Sequence, residues 1–207
     1  MNRFWKRATT TVAAMALIAS AAASQYARAD DAKKVQAKIG QTAPQFTLED
    51  QNGKKVSLSD YAGKIVVLEW TNPDCPVVQR HYKANTMTTL EKKYAKQNIV
   101  WLAINSTHDT TNAVDLTWAK EQNITYPVLN DASGEVGHEY GAKSTPDMFI
   151  INKAGKLVYS GAIDNDPQGS KTNPENYVSK ALDEVLADKP VSVPETKSYG
   201  CAVHYAK

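Results

Sequence analysis

Apolar positions along this chain fall into short blocks divided by polar turns. Ile65-Val66-Val67-Leu68 is unbroken, and so is Ile99-Val100-Trp101-Leu102-Ala103-Ile104. Unbroken runs of this length mark strands buried on both faces of a parallel sheet. Tyr126-Pro127-Val128-Leu129 predicts a third strand. Two hairpins frame them. Phe46-Thr47-Leu48 and Val56-Ser57-Leu58 flank Asn52-Gly53, a strong turn pair. Met148-Phe149-Ile150-Ile151 and Leu157-Val158-Tyr159 flank Lys153-Ala154-Gly155. Helical spacing predicts helices over residues 76–82, from an Asn85 or Thr86 cap to about residue 95, over 112–122 and over 134–140. A last helix is expected to open at Asn173-Pro174-Glu175, with asparagine as N-cap and proline in the first turn. Tyr177, Ala181, Leu182, Val185 and Leu186 form its core-facing stripe. Strands alternating with helices, with hairpins at both ends, imply an α/β fold: a mixed central sheet flanked by helices, with an N-terminal β-hairpin.

The two ends of the chain read differently from this middle. Arg3, Lys6 and Arg7 precede an alanine-rich apolar stretch over residues 11–23, and Ala27-Arg28-Ala29 is a small-x-small cleavage site. Residues 1–29 therefore read as a signal peptide and place the protein in the periplasm or outside the cell, with no stable membrane association after cleavage; an uncleaved anchor is the alternative. Residues 30–38 are a polar linker, 39–189 the domain and 190–207 a tail carrying Cys201. The tail is polar, has two prolines and lacks a core pattern, so it is expected to be more mobile than the domain. The whole chain carries 24 basic and 22 acidic residues; cleavage removes four basic ones, leaving 20 against 22. No basic excess remains to suggest nucleic acid.

Chemistry centres on Cys75. It follows the first buried strand and precedes Pro76, a residue suited to a first helical turn. Cys75 is thus placed at a helix N-cap beyond the carboxyl end of a central strand, where free N–H groups favour thiolate. The bland alternative is a buried cysteine packed as a small hydrophobe. The only other cysteine is Cys201. In an oxidising compartment the two can form a structural bridge, or act as an attacking and a resolving thiol. Glu69 ends the strand; buried, its pKa would rise and suit proton transfer, whereas at the rim it would be an ordinary solvated carboxylate. Asp74 reads as a loop residue helping to cap the helix. His81, and His204 three residues after Cys201, show no familiar metal spacing, so no metal and no cofactor are assigned.

This order and these residues resemble the thioredoxin superfamily, and within it the redoxin branch of alkyl hydroperoxide reductase and thiol-specific antioxidant proteins, over roughly residues 39–189. Ala43-Pro44-Gln45-Phe46-Thr47-Leu48, Val56-Ser57-Leu58-Ser59-Asp60 and Gly63-Lys64 are similar to the hairpin that opens redoxins. Ser144-Thr145-Pro146 before a strand resembles the superfamily's cis-proline loop, which implies that Thr145 and Pro146 pack beside Cys75; an ordinary trans proline is the alternative. Asn72…Cys75-Pro76-Val77-Val78 and Gly200-Cys201-Ala202-Val203 resemble a peroxiredoxin-like subgroup, and this likeness marks Cys201 as the resolving thiol.

The departures matter. Val78 stands where thioredoxins carry a second cysteine. Asn72 stands where peroxiredoxins carry threonine or serine, and Arg80, the single arginine of the mature chain, lies on the helix after Cys75 rather than on a later strand. The resemblance implies a secreted thiol oxidoreductase of peroxiredoxin-like type. Cys75 attacks peroxide or a protein disulfide, Cys201 resolves, and an external thiol reductant resets the pair. The alternatives are a thiol-disulfide reductase or isomerase acting on partner proteins, and a redox-inert binding module for a metal or partner. A Cys75–Cys201 bond is expected in the resting oxidised protein, with reduction freeing the tail.

Overall fold

The computed structural model describes residues 36–206, so the expected leader and most of the linker lie outside the described residues. The chain runs β1 (Thr47–Asp50), β2 (Lys55–Ser57), β3 (Ile65–Trp70), α1 (Pro76–Lys83), α2 (Thr86–Tyr94), β4 (Ile99–Asn105), α3 (Asn112–Glu121), β5 (Val128–Asn130) and α4 (Glu135–Tyr140). It continues through β6 (Ser144–Thr145), β7 (Asp147–Ile151), β8 (Leu157–Gly161), α5 (Tyr177–Leu186) and β9 (Cys201–Ala202). Among the described residues, seven strands form one sheet in the order β2-β1-β5-β4-β3-β7-β8. β3 pairs parallel with β4 and β4 with β5, while β7 and β8 add antiparallel beyond β3. The hairpin β1–β2 closes the opposite edge.

Alternation along β3 divides the core. Ile65 and Val67 face a cluster built with Val78, Tyr82, Met87, Tyr94, Trp118 and Leu182 from the helices. Val66, Leu68 and Trp70 face a second cluster with Phe46, Leu58, Val136, Tyr140 and Phe149. All six residues of β3 are buried, as its unbroken apolar reading requires. Each fully buried aliphatic side chain contributes roughly 1.5–3 kcal/mol. Rigid packing on both faces fixes the carboxyl end of β3, and hence the start of α1.

Two expectations fail. The last helix does not open at Asn173: its N-cap is Asn176, whose side chain accepts from Ser179 N–H at 2.7 Å. The preceding residues are instead held extended, with Asn165 N–H donating to Glu175 O and Tyr177 N–H to Ile163 O. Nor is the tail loose. Ser160 N–H donates to Pro194 O and Thr196 N–H to Ser160 O. The Thr196 hydroxyl accepts from Ala162 N–H at 2.8 Å. Further on, β9 pairs with β6, His108 N–H donates to His204 O, and the Tyr205 ring stacks on His138 at 4.0 Å. These anchors are backbone groups and hydroxyls, which leave no apolar periodicity to read. Both cysteines are thiols here, so docking of the tail does not require a disulfide.

Gly161 shows how close the crossing is. It adopts φ +137, and a Cβ on it would overlap the Thr196 carbonyl. Gly161→Ala should therefore dislodge the tail at a cost of roughly 1–3 kcal/mol. Limited proteolysis should show faster cleavage within residues 190–206 and an intact domain. Unchanged cleavage would mean that the crossing is not what holds the tail.

Candidate functional site

β3 delivers the chain to a tight loop. Thr71 N–H donates to Ile104 O at 2.9 Å, extending the β3–β4 pairing one residue past the strand. Asn72 then shapes the turn: its side-chain oxygen accepts from Asp74 N–H at 2.8 Å and its backbone carbonyl from Cys75 N–H at 3.0 Å. Cys75 is the N-cap of α1, extended at φ −79 and ψ 118, with Pro76 at the first helical position. The first helical bond runs from Gln79 N–H to Cys75 O. The sulfur thus meets the unpaired N–H groups of a helix start.

Across from it lies the loop before β7. The Thr145-Pro146 bond is cis, and the Cys75 thiol donates to Thr145 O at 3.1 Å. Thr145 is also the register partner of Cys201, and Ser144 of Ala202. This short pairing brings the second thiol to the first. The two thiols are near enough for each to shift the titration of the other. Cys75 is buried, whereas Cys201 is partly exposed.

Electrostatics separate the two thiols. Burial pushes Cys75 up, but the neighbouring Cys201, Thr145 and the polar backbone of the helix start outweigh it, and the thiol lies below its ordinary value. Cys201 is pushed up by burial and by donating to Cys75, against a smaller opposing bond from Val77 N–H. Cys75 is therefore the easier of the two to deprotonate.

Glu69 resolves to the buried of its two readings. It is fully buried, accepting from the Tyr82 hydroxyl at 2.9 Å, the Trp101 indole at 2.8 Å and the Tyr126 hydroxyl at 3.4 Å. Burial raises its pKa to about 7 despite those three bonds. Nothing local in the sequence pairs its three donors with it, since they come from three separate segments.

The structure gathers Cys75, Cys201, Thr145 and Pro146 into one site, with Glu69 at the end of the strand that leads to it. Asn72 builds the loop: its oxygens accept from the Asp74 and Cys75 backbone N–H groups. Arg80 does not approach the thiols: its guanidinium donates to Pro167 O and Asp166 O, both at 3.0 Å. Sequence reasoning also missed Asp147, directly after Pro146, which is buried and pushed up to about 7, mainly by burial. It accepts from Lys143 N–H at 3.2 Å, and the nearby Ser198 side chain of the tail acts against the effect of burial. Among the described residues no three His, Cys, Asp or Glu side chains converge on a metal position.

A cysteine at a helix N-cap, facing a cis-proline loop at the end of a mixed sheet, defines a thioredoxin-like protein. Comparison with known proteins agrees. The profile of the AhpC/TSA family matches residues 39–160. The thiol-disulfide oxidoreductase ResA of Geobacillus thermodenitrificans is 32% identical over 147 residues, covering 71% of this chain and 82% of that one. ResA of Bacillus thuringiensis is 30% identical over 126 residues, 61% of this chain and 70% of that one. A hypothetical protein from Sinorhizobium meliloti 1021 superposes with a TM-score of 0.74 at 27% identity, covering 83% of this chain and 96% of its own. The chain belongs to the AhpC/TSA family and is a thiol oxidoreductase.

Two outcomes are expected. Cys201→Ala removes a donor to the Cys75 thiolate, so alkylation of Cys75, followed against pH by peptide mapping, should show a pKa roughly one pH unit higher than in the unsubstituted protein. An unchanged profile would show that Cys201 does not tune it. For Glu69, the folded pKa of about 7 lies above the ordinary 4.5. The folded state therefore holds a proton that the unfolded chain has released, and stability falls as pH rises between those values. Glu69→Gln should escape this loss. Relative to the unsubstituted protein, its unfolding free energy from denaturant titration should improve from pH 4.5 to pH 7, by about 3 kcal/mol at full effect, and then level off. A pH-independent difference would contradict the raised pKa.

Proposed function

We propose that the protein exchanges thiols with disulfides of partner proteins, with Cys75 attacking and Cys201 resolving. This reading takes the thiol-disulfide alternative over the peroxiredoxin-like one. The observation that carries it is the Thr145 peptide unit, whose carbonyl accepts from the Cys75 thiol and whose register partner is Cys201. Its relatives named ResA support it. Peroxide reduction has less support, because Arg80 is tied to residues 166 and 167.

The Cys75 thiolate attacks one sulfur of the partner's disulfide, forming a mixed disulfide and releasing the other sulfur as thiolate. Cys75 then no longer carries charge, so one cause of the raised Cys201 pKa disappears. Cys201 becomes easier to deprotonate at the moment its thiolate is needed. It attacks the Cys75 sulfur, the partner leaves with both sulfurs reduced, and a Cys75–Cys201 disulfide remains. An external thiol reductant returns two electrons. Glu69, titrating near neutral pH, serves as the buried proton acceptor of the cycle. The basic, apolar leader points to an extracytoplasmic site of action, where disulfides persist.

The test is disulfide reduction with a dithiol reductant, run beside peroxide consumption. Cys75→Ser should abolish disulfide turnover, and Cys201→Ser should accumulate a mixed disulfide at Cys75. Fast catalytic consumption of peroxide with no mixed disulfide would restore the peroxidase reading.

A further inference from the structure

α1 carries two features on one rigid body. Its N-cap is Cys75, and six residues on is His81, buried beneath the tail. His81 Nε2 lies 3.1 Å from the Tyr199 hydroxyl. The same hydroxyl donates to the Asp164 carboxylate. Asp164 is itself buried and held in place, accepting from Asp166 N–H at 2.9 Å, with a backbone bridge to Asn176. Tyr199 therefore spans the cysteine-bearing helix and the loop after β8 through one oxygen.

Tyr199 is two residues before Cys201. Between them, Gly200 adopts φ +125, and a Cβ there would overlap the Thr145 carbonyl. The backbone passes so close to residue 145 that little lateral freedom separates the Tyr199 anchor from the Cys201 sulfur. Beyond Cys201, pairing with β6 fixes height along the strand but consists of only two residues on each side.

We infer that Tyr199, clamped by His81 and Asp164, is a positioning residue that holds the Cys201 sulfur against Cys75 for the resolving step. It touches neither sulfur among the recorded bonds and carries no electrons or protons of the reaction. It acts by keeping the resolving thiol at high effective concentration, which is what turns a bimolecular encounter into an intramolecular one. This inference rests on the proposed resolving role of Cys201 and assigns the residue that makes the role efficient.

The step it assists balances simply. The Cys201 thiolate attacks the Cys75 sulfur of the mixed disulfide, the new Cys75–Cys201 bond forms, the Cys75–partner bond breaks, and the partner leaves as thiolate. A chromogenic aromatic disulfide, added at one equivalent to the reduced full-length protein, reads the two steps apart. The first coloured thiolate reports attack by Cys75, and the second reports resolution by Cys201. A Cys201→Ser variant identifies the first step on its own.

Tyr199→Phe keeps the ring and removes the hydroxyl. The ratio of the second rate to the first should fall about tenfold, the loss of a hydrogen bond to a charged acceptor expressed as a rate. Asp164→Asn, which keeps an acceptor but removes its charge, should lower the ratio by less. Tyr205→Phe removes another tail hydroxyl bond, to Ala142 O at 2.8 Å, on the far side of Cys201, and should leave the ratio within about threefold. An unchanged ratio in Tyr199→Phe, or an equal fall in Tyr205→Phe, overturns the inference, the latter because any loosening of the tail would then do the same. If the unsubstituted protein releases no second equivalent, the resolving role of Cys201 fails instead, and that outcome is separable because it needs no variant.

Discussion

The site depends on a ladder of two residue pairs, Ser144 with Ala202 and Thr145 with Cys201. The sheet, the helices and the loop at Asn72 place a single thiol at the end of β3. Only this pairing supplies a second. The same residue, Thr145, accepts from Cys75 through its carbonyl, precedes the cis proline, and faces Cys201 across the ladder. Three structural demands converge on one peptide unit, which explains why it lies in the interior although it connects a helix to a strand.

Proximity alone would not distinguish the sulfurs. The distinction comes from what surrounds each. Cys75 stands at the N-cap of a helix, while Cys201 lies in a two-residue strand beside it. Their proximity pushes one thiol down and the other up. Below the pair, Glu69 has been desolvated by the central strand and is held by two tyrosines and a tryptophan, so a group able to exchange protons near neutral pH stands in the interior. Such a carboxylate costs stability, which is consistent with its serving chemistry rather than the fold.

Much of this was legible from local pattern or from likeness. Cys75 at an N-cap followed from a buried run, a turn and a proline, all within a dozen residues, and the cis loop from the resemblance of Ser144-Thr145-Pro146 to the superfamily's cis-proline loop. What local pattern missed depends on distant partners. Tyr199 meets residues 35 and 118 positions away. Thr196 docks through its backbone and one hydroxyl, groups that leave no mark on an apolar pattern. A polar segment reads the same whether water or a buried carboxylate takes its hydrogen bonds. The start of α5 went astray for a related reason: Asn173 and Asn176 are both good caps, and the choice is made by backbone bonds to residues 163 and 165. Glu69 could be read as rim or core until its three aromatic donors were brought around it by three separate elements.

Val78, in the position where a nearby second thiol would sit, has a thermodynamic consequence. With its partner 126 residues further on rather than three, a disulfide at Cys75 closes a loop spanning most of the domain. A local dithiol loop barely feels whether the rest of the protein is folded. Here the bond and the native state stabilise each other reciprocally, since whatever free energy the bond lends the fold, the fold lends the bond. The redox potential of the pair then becomes a gauge of tertiary structure. Heat, denaturant or a partner that pries the terminal segment away would each make the oxidised form easier to reduce, so that mechanical or thermal stress on the protein is reported as a change in its readiness to accept electrons.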